Sequence, residues 1–122
     1  MAKSVLVVDD SASVRQVVGI ALKSAGYDVI EACDGKDALG KLNGQKVHLI
    51  ISDVNMPNMD GITFVKEVKK LAGYKFTPVI MLTTESQELK KQEGQAAGAK
   101  AWVVKPFQPA QMLAAVSKLI LP

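Results

Sequence analysis

A chain of 122 residues with 48% apolar and 22% charged residues has the size and composition of one folded domain with a buried core. This balance excludes an intrinsically disordered chain, and no apolar run approaches the roughly 18 residues that a membrane span requires. The net charge of +3 comes from lysines that alternate with acids, as in FVKEVKK, and aromatic residues make up only 5%. We therefore expect no binding to nucleic acid or to a membrane.

The single cysteine, Cys33, excludes an internal disulfide and suits a reducing compartment. We expect it to be a small buried residue at the end of a strand. The first ten residues, MAKSVLVVDD, lack the layout of a secretion signal because two acids directly follow the short apolar run. These features predict a cytoplasmic protein.

Five short apolar runs alternate with five helical patterns along the chain. The predicted strands cover residues 5–8, 27–32, 47–52, 78–82 and 101–104. The first, third and fourth runs are almost continuous in Val, Ile and Leu, which is typical of parallel strands that helices cover on both faces. The alternation predicts an α/β fold with right-handed crossovers.

Four of the five helical patterns begin or end at recognisable residues. They are a helix over 13–24 stopped by Gly26, a helix capped by Asp34 that ends near Gly44, a helix opened by Asp60, and a helix that begins at Pro109. The remaining pattern, 86–97, has Leu89 as its only large aliphatic residue and Gly94 in its middle. An internal glycine costs about 1 kcal/mol relative to alanine. We predict that this fourth helix is weakly anchored and is the part that moves.

Polar residues follow four of the five predicted strands. Asp9 and Asp10 follow the first strand, Asp53 the third, Thr83 the fourth and Lys105 the fifth. The carboxyl ends of parallel strands meet at one edge of the sheet, where ligands bind. Two unit charges about 4 Å apart repel by roughly 4 kcal/mol at an effective dielectric near 20. Three clustered acids therefore predict a bound positive charge.

Magnesium is the cation that this residue set favours. Mg²⁺ is held by one or two carboxylates together with waters and phosphate oxygens. Lys105 adds a second positive charge, and Thr83 adds a hydroxyl donor. A metal, an ammonium and a hydrogen-bond donor are what phosphoryl transfer requires, and Asp53 is then the nucleophile that forms an acyl phosphate.

Four segments, VLVVDDS, IISDVNMPNMDG, VIMLTTES and AWVVKPF, resemble the receiver domains of two-component response regulators. The resemblance is strongest to the stand-alone chemotaxis type known as CheY, and it covers essentially the whole chain. It implies a flavodoxin-like, doubly wound five-stranded parallel sheet of order 2-1-3-4-5 with five helices. It also implies that residues 1–122 form a single receiver domain.

The resemblance further implies which residues bind phosphate and metal. Asp53 accepts the phosphate from a phosphohistidine on a CheA-like sensor histidine kinase. Mg²⁺ is the cofactor, and its implied ligands are Asp9, Asp10, Asp53 and Asn55. On this basis the protein is not an enzyme in the ordinary sense, although it catalyses its own phosphotransfer and dephosphorylation.

Four other residues match family positions around the phosphate. Thr83 and Lys105 contact the phosphoryl oxygens in the family. Asn55 and Glu85 flank the phosphate and influence its hydrolysis, which implies a short-lived acyl phosphate. A phosphatase is therefore an expected partner.

Output in this family uses a threonine and an aromatic residue as a switch. Thr83 shifts toward the phosphate, and Trp102 holds the position of an aromatic that turns inward. Trp102 departs from the family, which carries tyrosine or phenylalanine there, and an indole must satisfy its N–H when buried. Thr84 replaces a common alanine. The implied output surface is the fourth helix, fifth strand and fifth helix, and the implied partner is the flagellar motor switch protein.

The function that these features favour is a phosphorylation-controlled switch in chemotaxis, and we expect it to be a monomer. Three alternatives remain. The chain could be a phosphate sink or a regulator of a non-motility signalling complex. A magnesium-dependent phosphatase would need a general acid, yet the only histidine, His48, precedes the third strand and is expected at the opposite edge. A phosphorylation-independent interaction module is the third alternative. Dinucleotide binding lacks a glycine-rich loop after the first strand.

Overall fold

The computed structural model describes residues 3–54, 56, 58–84, 98–105 and 108–120, and at 83, 84 and 105 it describes the backbone alone. The strands are β1 (Ser4–Val8), β2 (Asp28–Ala32), β3 (Leu49–Asp53), β4 (Val79–Thr84) and β5 (Ala101–Lys105). The helices are α1 (Ala12–Ser24), α2 (Gly35–Lys41), α3 (Gly61–Lys70) and α4 (Pro109–Leu119). The predicted fourth helix, 86–97, lies outside the described residues, so α4 corresponds to the predicted fifth helix.

All five strands run parallel in one sheet of order β2-β1-β3-β4-β5. This is the flavodoxin-like order that the resemblance implies, and the prediction is confirmed. Each predicted strand boundary differs from the observed one by at most two residues. The largest differences are at the start of β3 and the end of β4, where the hydrogen-bonded ladder and the apolar run do not coincide.

The core has two layers because alternate residues of each strand face opposite sides of the sheet. In β1, Leu6 and Val8 belong to a cluster with residues of α2 and α3, including Ala38 and Phe64. The intervening residues of β1 belong to a second cluster with residues of α1 and α4. Full burial of an aliphatic side chain contributes about 1.5–3 kcal/mol, so these two layers hold the strand ends rigidly in place.

Capping residues fix the start of the helices that border the candidate site. The Ser11 hydroxyl accepts a hydrogen bond from the Val14 N–H at 3.3 Å at the start of α1. The Asp34 carboxylate accepts a hydrogen bond from the Asp37 N–H at 2.8 Å, and the Asp60 carboxylate accepts one from the Thr63 N–H at 2.7 Å. Both predicted caps are confirmed. The α2 helix ends at Lys41 rather than near Gly44, because Leu42 leaves the helix and is buried in the core.

Cys33 contradicts the expectation of burial, since its side chain is exposed. The preceding residue, Ala32, is buried at the end of β2, and the next side chain points away from the core. Partial desolvation, a hydrogen bond with Asp37 and the negative charges of Asp34 and Asp37 raise the pKa of the Cys33 thiol. Cys33 is therefore an exposed thiol that is poorly ionised at neutral pH.

Within the described part of the chain, no helix has the length and apolar character needed to cross a membrane.

Candidate functional site

Three carboxylates meet at the carboxyl edge of the sheet. Asp9 and Asp10 follow β1, and Asp53 is the last residue of the neighbouring strand β3. One oxygen from each of the three lies within 4.8 Å of the others. Asp9 and Asp53 are buried and Asp10 is exposed, so the cluster has a buried base and one acid toward solvent.

The position of Asp9 is fixed through its backbone and its carboxylate. Its N–H donates to the Ala32 carbonyl of β2 at 3.1 Å, which extends the sheet by one residue. Its Oδ1 accepts the N–H of Ser11 at 2.9 Å, and its carbonyl accepts a hydrogen bond from the guanidinium of Arg15. Arg15 is held in turn by Glu31, with Nε and Oε1 3.3 Å apart. The first turn of α1 thus anchors the acid.

Asp53 is held by the start of the loop that follows it. Its Oδ1 accepts the Val54 N–H at 2.9 Å, and the Val54 carbonyl accepts the Gly61 N–H at 2.8 Å. A Cβ on Gly61 would overlap the Asp53 carbonyl oxygen and would lie 2.9 Å from Cε of Met81. The absence of a side chain at Gly61 therefore lets α3 begin directly against the backbone of the predicted nucleophile.

The loop between Asp53 and α3 is also tied to the start of α2. Asn58 has a left-handed backbone with φ of 68°, which asparagine tolerates better than most residues. Its side-chain amide donates to Oδ2 of Asp34 at 2.8 Å. The Asp37 backbone N–H and then the Asn58 amide lower the pKa of Asp34, because both hydrogen bonds favour the charged form.

Contact between the same loop and α2 adds a second tie. A Cβ on Gly35 would lie 2.9 Å from Cβ and Cγ of Met59, so the loop lies directly against the first residue of α2. Met59 also packs against the cluster formed with α2 and α3. Asn58 and Met59 are therefore held against the start of α2, and Val54 is held against the start of α3.

The donor set at this edge fits a hard divalent cation. Carboxylate oxygens are the ligands that Mg²⁺ prefers, and a magnesium site needs only one or two of them besides waters and phosphate oxygens. Three acids that each offer one oxygen within 4.8 Å meet this requirement. At an effective dielectric near 20, each pair of charges at about 5 Å repels by roughly 3 kcal/mol, which a bound cation would offset.

The remaining predicted site residues are described only in part. The backbones of Thr83 and Lys105 lie at the same edge, since β4 ends at Thr84 and β5 at Lys105, with Thr84 opposite Lys105 in the ladder. Their side chains lie outside what the structure describes, as do Asn55 and Glu85. The predicted contacts of these four residues with phosphate or metal therefore stay predictions.

Trp102 lies in β5, the strand at one side of the sheet, whereas His48 precedes the central strand β3. Trp102 is opposite Met81 in the β4–β5 ladder, is half-buried and packs against the cluster formed with α2 and α3. His48 immediately precedes β3, at the amino edge, and its Nδ1 accepts the Ser4 N–H at 2.9 Å. The prediction that His48 lies away from the carboxylates is confirmed.

Three supporting features were missed at the level of sequence. They are the hydrogen bond from Arg15 to Asp9, the tie between Asn58 and Asp34, and the close approach of Gly61 to Asp53. The first two join residues from different elements, and sequence spacing carries no signal for such contacts. The glycine offered a weak signal, because it directly follows a helix-capping aspartate.

Comparison with known families identifies the class of site. The sequence model of the family described as response regulator receiver domain matches residues 5–117. Among solved structures, the chemotaxis protein CheY4 of Vibrio cholerae is 50% identical, with a TM-score of 0.93 over 98% of this chain and 100% of that one.

Two curated relatives match most of this chain, and both are longer than it. Protein PilG of Pseudomonas aeruginosa is 37% identical over 112 residues, which is 92% of this chain and 83% of that protein. The alkaline phosphatase synthesis transcriptional regulatory protein PhoP of Bacillus subtilis is 38% identical over 120 residues. The chain covers 49% of PhoP and so spans about half the length of that relative.

Proposed function

The chain belongs to the response regulator receiver domain family, and from this premise we propose that it is a phosphorylation-controlled switch with Asp53 as its phosphoacceptor. Receiver domains accept phosphate from histidine kinases and bind Mg²⁺ at an acidic pocket. We propose that residues 1–122 act as a single receiver domain in the cytoplasm. The phosphate donor is then a CheA-like sensor histidine kinase.

One observation carries the proposal, namely that oxygens of Asp9, Asp10 and Asp53 converge within 4.8 Å. Helix capping does not explain the cluster, because Ser11 supplies the cap of α1 and Asp60 that of α3. Concentrating negative charge at one point costs free energy unless a ligand offsets the repulsion. A site for a cation and a phosphoryl group supplies such a ligand.

In the proposed reaction, a carboxylate oxygen of Asp53 attacks the phosphorus of the phosphohistidine, the P–N bond breaks, and the kinase imidazole leaves with the bonding electron pair, so that Asp53 carries an acyl phosphate. The hydrogen bond from the Val54 N–H to Oδ1 orients the carboxylate. Asp9, Asp10, Asp53 and the carbonyl of Asn55 would hold Mg²⁺, which when bound neutralises negative charge on the carboxylates and the phosphoryl oxygens. In this proposal, Thr83 and Lys105 contact the phosphoryl oxygens.

The proposed output is a change of the surface near Trp102. Thr83 and Trp102 lie on adjacent strands, and Trp102 is half-buried, which leaves it room to exchange between packed and exposed positions. Phosphorylation would favour a minor conformation that already exists, and a partner that prefers that conformation would then bind. The 50% identity to the chemotaxis protein CheY4 supports a role in chemotaxis. The partner in this proposal is the flagellar motor switch protein, and Asn55 and Glu85 set the phosphate lifetime together with a phosphatase.

Phosphotransfer from a kinase tests the proposal. An autophosphorylated, radiolabelled CheA-like kinase domain is mixed with the wild-type chain, with Asp53→Asn, and with Asp28→Asn as a matched control. Asp28 is an exposed acid at the start of β2, far from the carboxyl edge. We expect label on the wild type and on Asp28→Asn and none on Asp53→Asn. Equal label on all three would contradict Asp53 as the acceptor.

A further inference from the structure

The amino edge of the sheet, opposite the carboxylates, is strongly basic. Two loops meet there, one between α2 and β3 and one between α3 and β4. Residues 41–48 and 69–77, which include these loops, contain five lysines and no aspartate or glutamate. The sheet thus has a cluster of three acids, Asp9, Asp10 and Asp53, at one edge and this group of lysines at the other.

An open cleft lies between the two loops. It is lined by residues 44–48, 72–74, 76 and 77, and its volume is about 470 Å³. This volume is within the range of about 300–1,000 Å³ that is typical of ligand pockets. We refer to it as the basal cleft, and most of its exposed lining is apolar.

Phe76 is the most unusual residue of the basal cleft. Its side chain is 80% exposed, more than any other large apolar side chain that the structure describes. The Lys75 Nζ lies 5.1 Å from the centroid of the ring, so the cation and the ring form a combined surface. An exposed aromatic ring beside an apolar cleft, with a cation next to the ring, is the composition of an interface rather than of an ordinary solvent-facing loop.

The walls of the basal cleft are held in place without a ligand. The Tyr74 hydroxyl joins the two loops, because it donates to the Gln45 carbonyl at 2.7 Å and accepts the Gly44 N–H at 3.0 Å. Lys69 braces the second loop by donating from Nζ to the Thr77 carbonyl at 2.8 Å. A preformed cleft loses little conformational entropy on binding, which favours affinity.

His48 contributes a hydrogen-bond donor to the same cleft. Its Nδ1 accepts the Ser4 N–H, so the ring hydrogen of the neutral form is on Nε2. Two nearby acids do not cancel the positive charge of the loops. Glu67 pairs with Lys70 at 3.5 Å and offsets one of the five lysines, which leaves four, and Asp28 begins β2, two strands away from β3. The donors and cations therefore favour a negatively charged occupant.

We propose that the basal cleft docks an acidic segment of a protein partner, with one aromatic or aliphatic side chain of that segment entering the cleft beside Phe76. The carboxylates of the segment are matched by Lys46 and Lys75 on the rim and by His48. Single-stranded nucleic acid is a poorer match, because its bases stack on several aromatic rings and this edge offers one exposed ring. The partner is recognised by charge and by one apolar anchor.

Docking at the basal cleft does not depend on phosphorylation, because the cleft and Asp53 lie at opposite edges of the sheet. The surface would hold the chain on a partner whether or not Asp53 is modified. This inference goes beyond the proposed switch, and the two proposals can be tested independently of each other.

Selection from a random peptide library displayed on phage, with the wild-type chain as bait, tests the proposal. We expect enriched peptides to be acidic with a large apolar residue, and amide NMR shifts induced by a synthetic copy to concentrate at residues 44–48 and 72–77. Phe76→Ser and the pair Lys46→Glu, Lys75→Glu should each weaken peptide binding about tenfold or more. The pair Lys23→Glu, Lys118→Glu, at exposed lysines on α1 and α4, is the charge-matched control for the double variant and should bind as the wild type does.

The outcomes separate the alternatives. Enriched peptides that are neutral or basic, or NMR shifts that fall elsewhere, would overturn the proposal. The proposal would also be overturned if single-stranded oligonucleotides or anionic vesicles bound at residues 44–48 and 72–77 more tightly than the peptide does. Asp53→Asn should bind the peptide with unchanged affinity, so loss of phosphotransfer and loss of peptide binding are distinguishable.

Discussion

Gly61 lies against the main chain of Asp53 so closely that a Cβ at position 61 would overlap the Asp53 carbonyl oxygen. The same Cβ would also crowd Met81, because it would lie 2.9 Å from Cε of that side chain. Alanine cannot fit there unless α3 moves away from the strand end. The short distance between α3 and Asp53 therefore depends on glycine at position 61.

Gly61→Ala should lower the free energy of unfolding by about 1–3 kcal/mol, because an added methyl group in a close-packed contact forces a backbone shift. Phosphorylation of Asp53 should slow as well, since the shift displaces its backbone. Gly40→Ala is the matched control. No atom lies within 4 Å of a Cβ at Gly40, which is inside α2, so alanine there should stabilise by about 0.5–1 kcal/mol. Urea unfolding of both variants measures the difference, and equal effects would contradict the close approach.

Mg²⁺ should stabilise the protein against unfolding through the three carboxylates. At a concentration about 100 times the dissociation constant, a ligand that binds only the folded state adds about 2.7 kcal/mol. Asp10→Asn should lose most of this gain, and in chelator it should be at least as stable as the wild type because one repulsive charge is removed. Asp10 is preferred over Asp9 for this test because the Asp9 carboxylate also accepts the Ser11 N–H.

Asp28→Asn is the control for that measurement and should keep the full magnesium gain. Thermal unfolding in Mg²⁺ and in chelator provides the comparison. An undiminished gain in Asp10→Asn would show that the metal binds elsewhere.

Asn58 should stabilise the loop in two separable ways. Asn58→Gly keeps the left-handed backbone but removes the hydrogen bond to Asp34, whereas Asn58→Ala also forces an unfavourable φ at a cost of about 1 kcal/mol more. Urea unfolding should therefore rank the wild type above Asn58→Gly, and Asn58→Gly above Asn58→Ala. The reverse order of the two variants would contradict the role of the backbone conformation.

The hydrogen bond between Asn58 and Asp34 also predicts how the free energy of unfolding depends on pH. The pKa of Asp34 is lowered in the folded state, so its contribution to stability is present above the pKa of the unfolded chain and is lost as the pH falls through the folded pKa. Asn58→Gly removes one hydrogen bond to the carboxylate, which raises that folded pKa, so the contribution of Asp34 should be smaller and its loss should be complete at a higher pH. An NMR titration of the Asp34 carboxyl group measures the change, and an unchanged midpoint would contradict it.

Cys33 should react slowly with iodoacetamide at neutral pH despite its exposure. Its thiol pKa is raised by partial desolvation, by the hydrogen bond with Asp37 and by nearby negative charge, and only the thiolate reacts. Alkylation should be slower in the folded chain than in the urea-unfolded chain, and Asp37→Asn should accelerate it. Equal rates in the folded and unfolded chains would contradict the raised pKa.

The strands and the acid cluster could be predicted from the sequence for a simple physical reason. Strands such as β1 and β3 are buried on both faces, so each contains a continuous apolar run, residues 5–8 and 49–51, and the polar residues after the run mark the strand end. Asp9 and Asp10 follow β1, Asp53 is the last residue of β3, and parallel strands end at one edge. The convergence of these acids is therefore a consequence of topology.

Other features depend on contacts that no local pattern encodes. Asn58 and Asp34 are 24 residues apart, and their hydrogen bond requires α2 and the loop after Asp53 to be placed by the rest of the fold. The exposure of Cys33 was wrongly predicted because a residue at a strand end follows the alternation of its neighbour rather than its own hydrophobicity. Phe76 likewise gives no sign in the sequence that its ring is exposed.

Intact-mass analysis after incubation with acetyl phosphate tests the central claim most directly, since it asks whether Asp53 accepts a phosphoryl group with the help of Mg²⁺. The wild-type chain in Mg²⁺ should gain the mass of one phosphoryl group, and the gain should disappear in chelator and in Asp53→Asn. A wild-type chain that gains no mass in Mg²⁺, or an Asp53→Asn chain that gains as much as the wild type, would contradict the account.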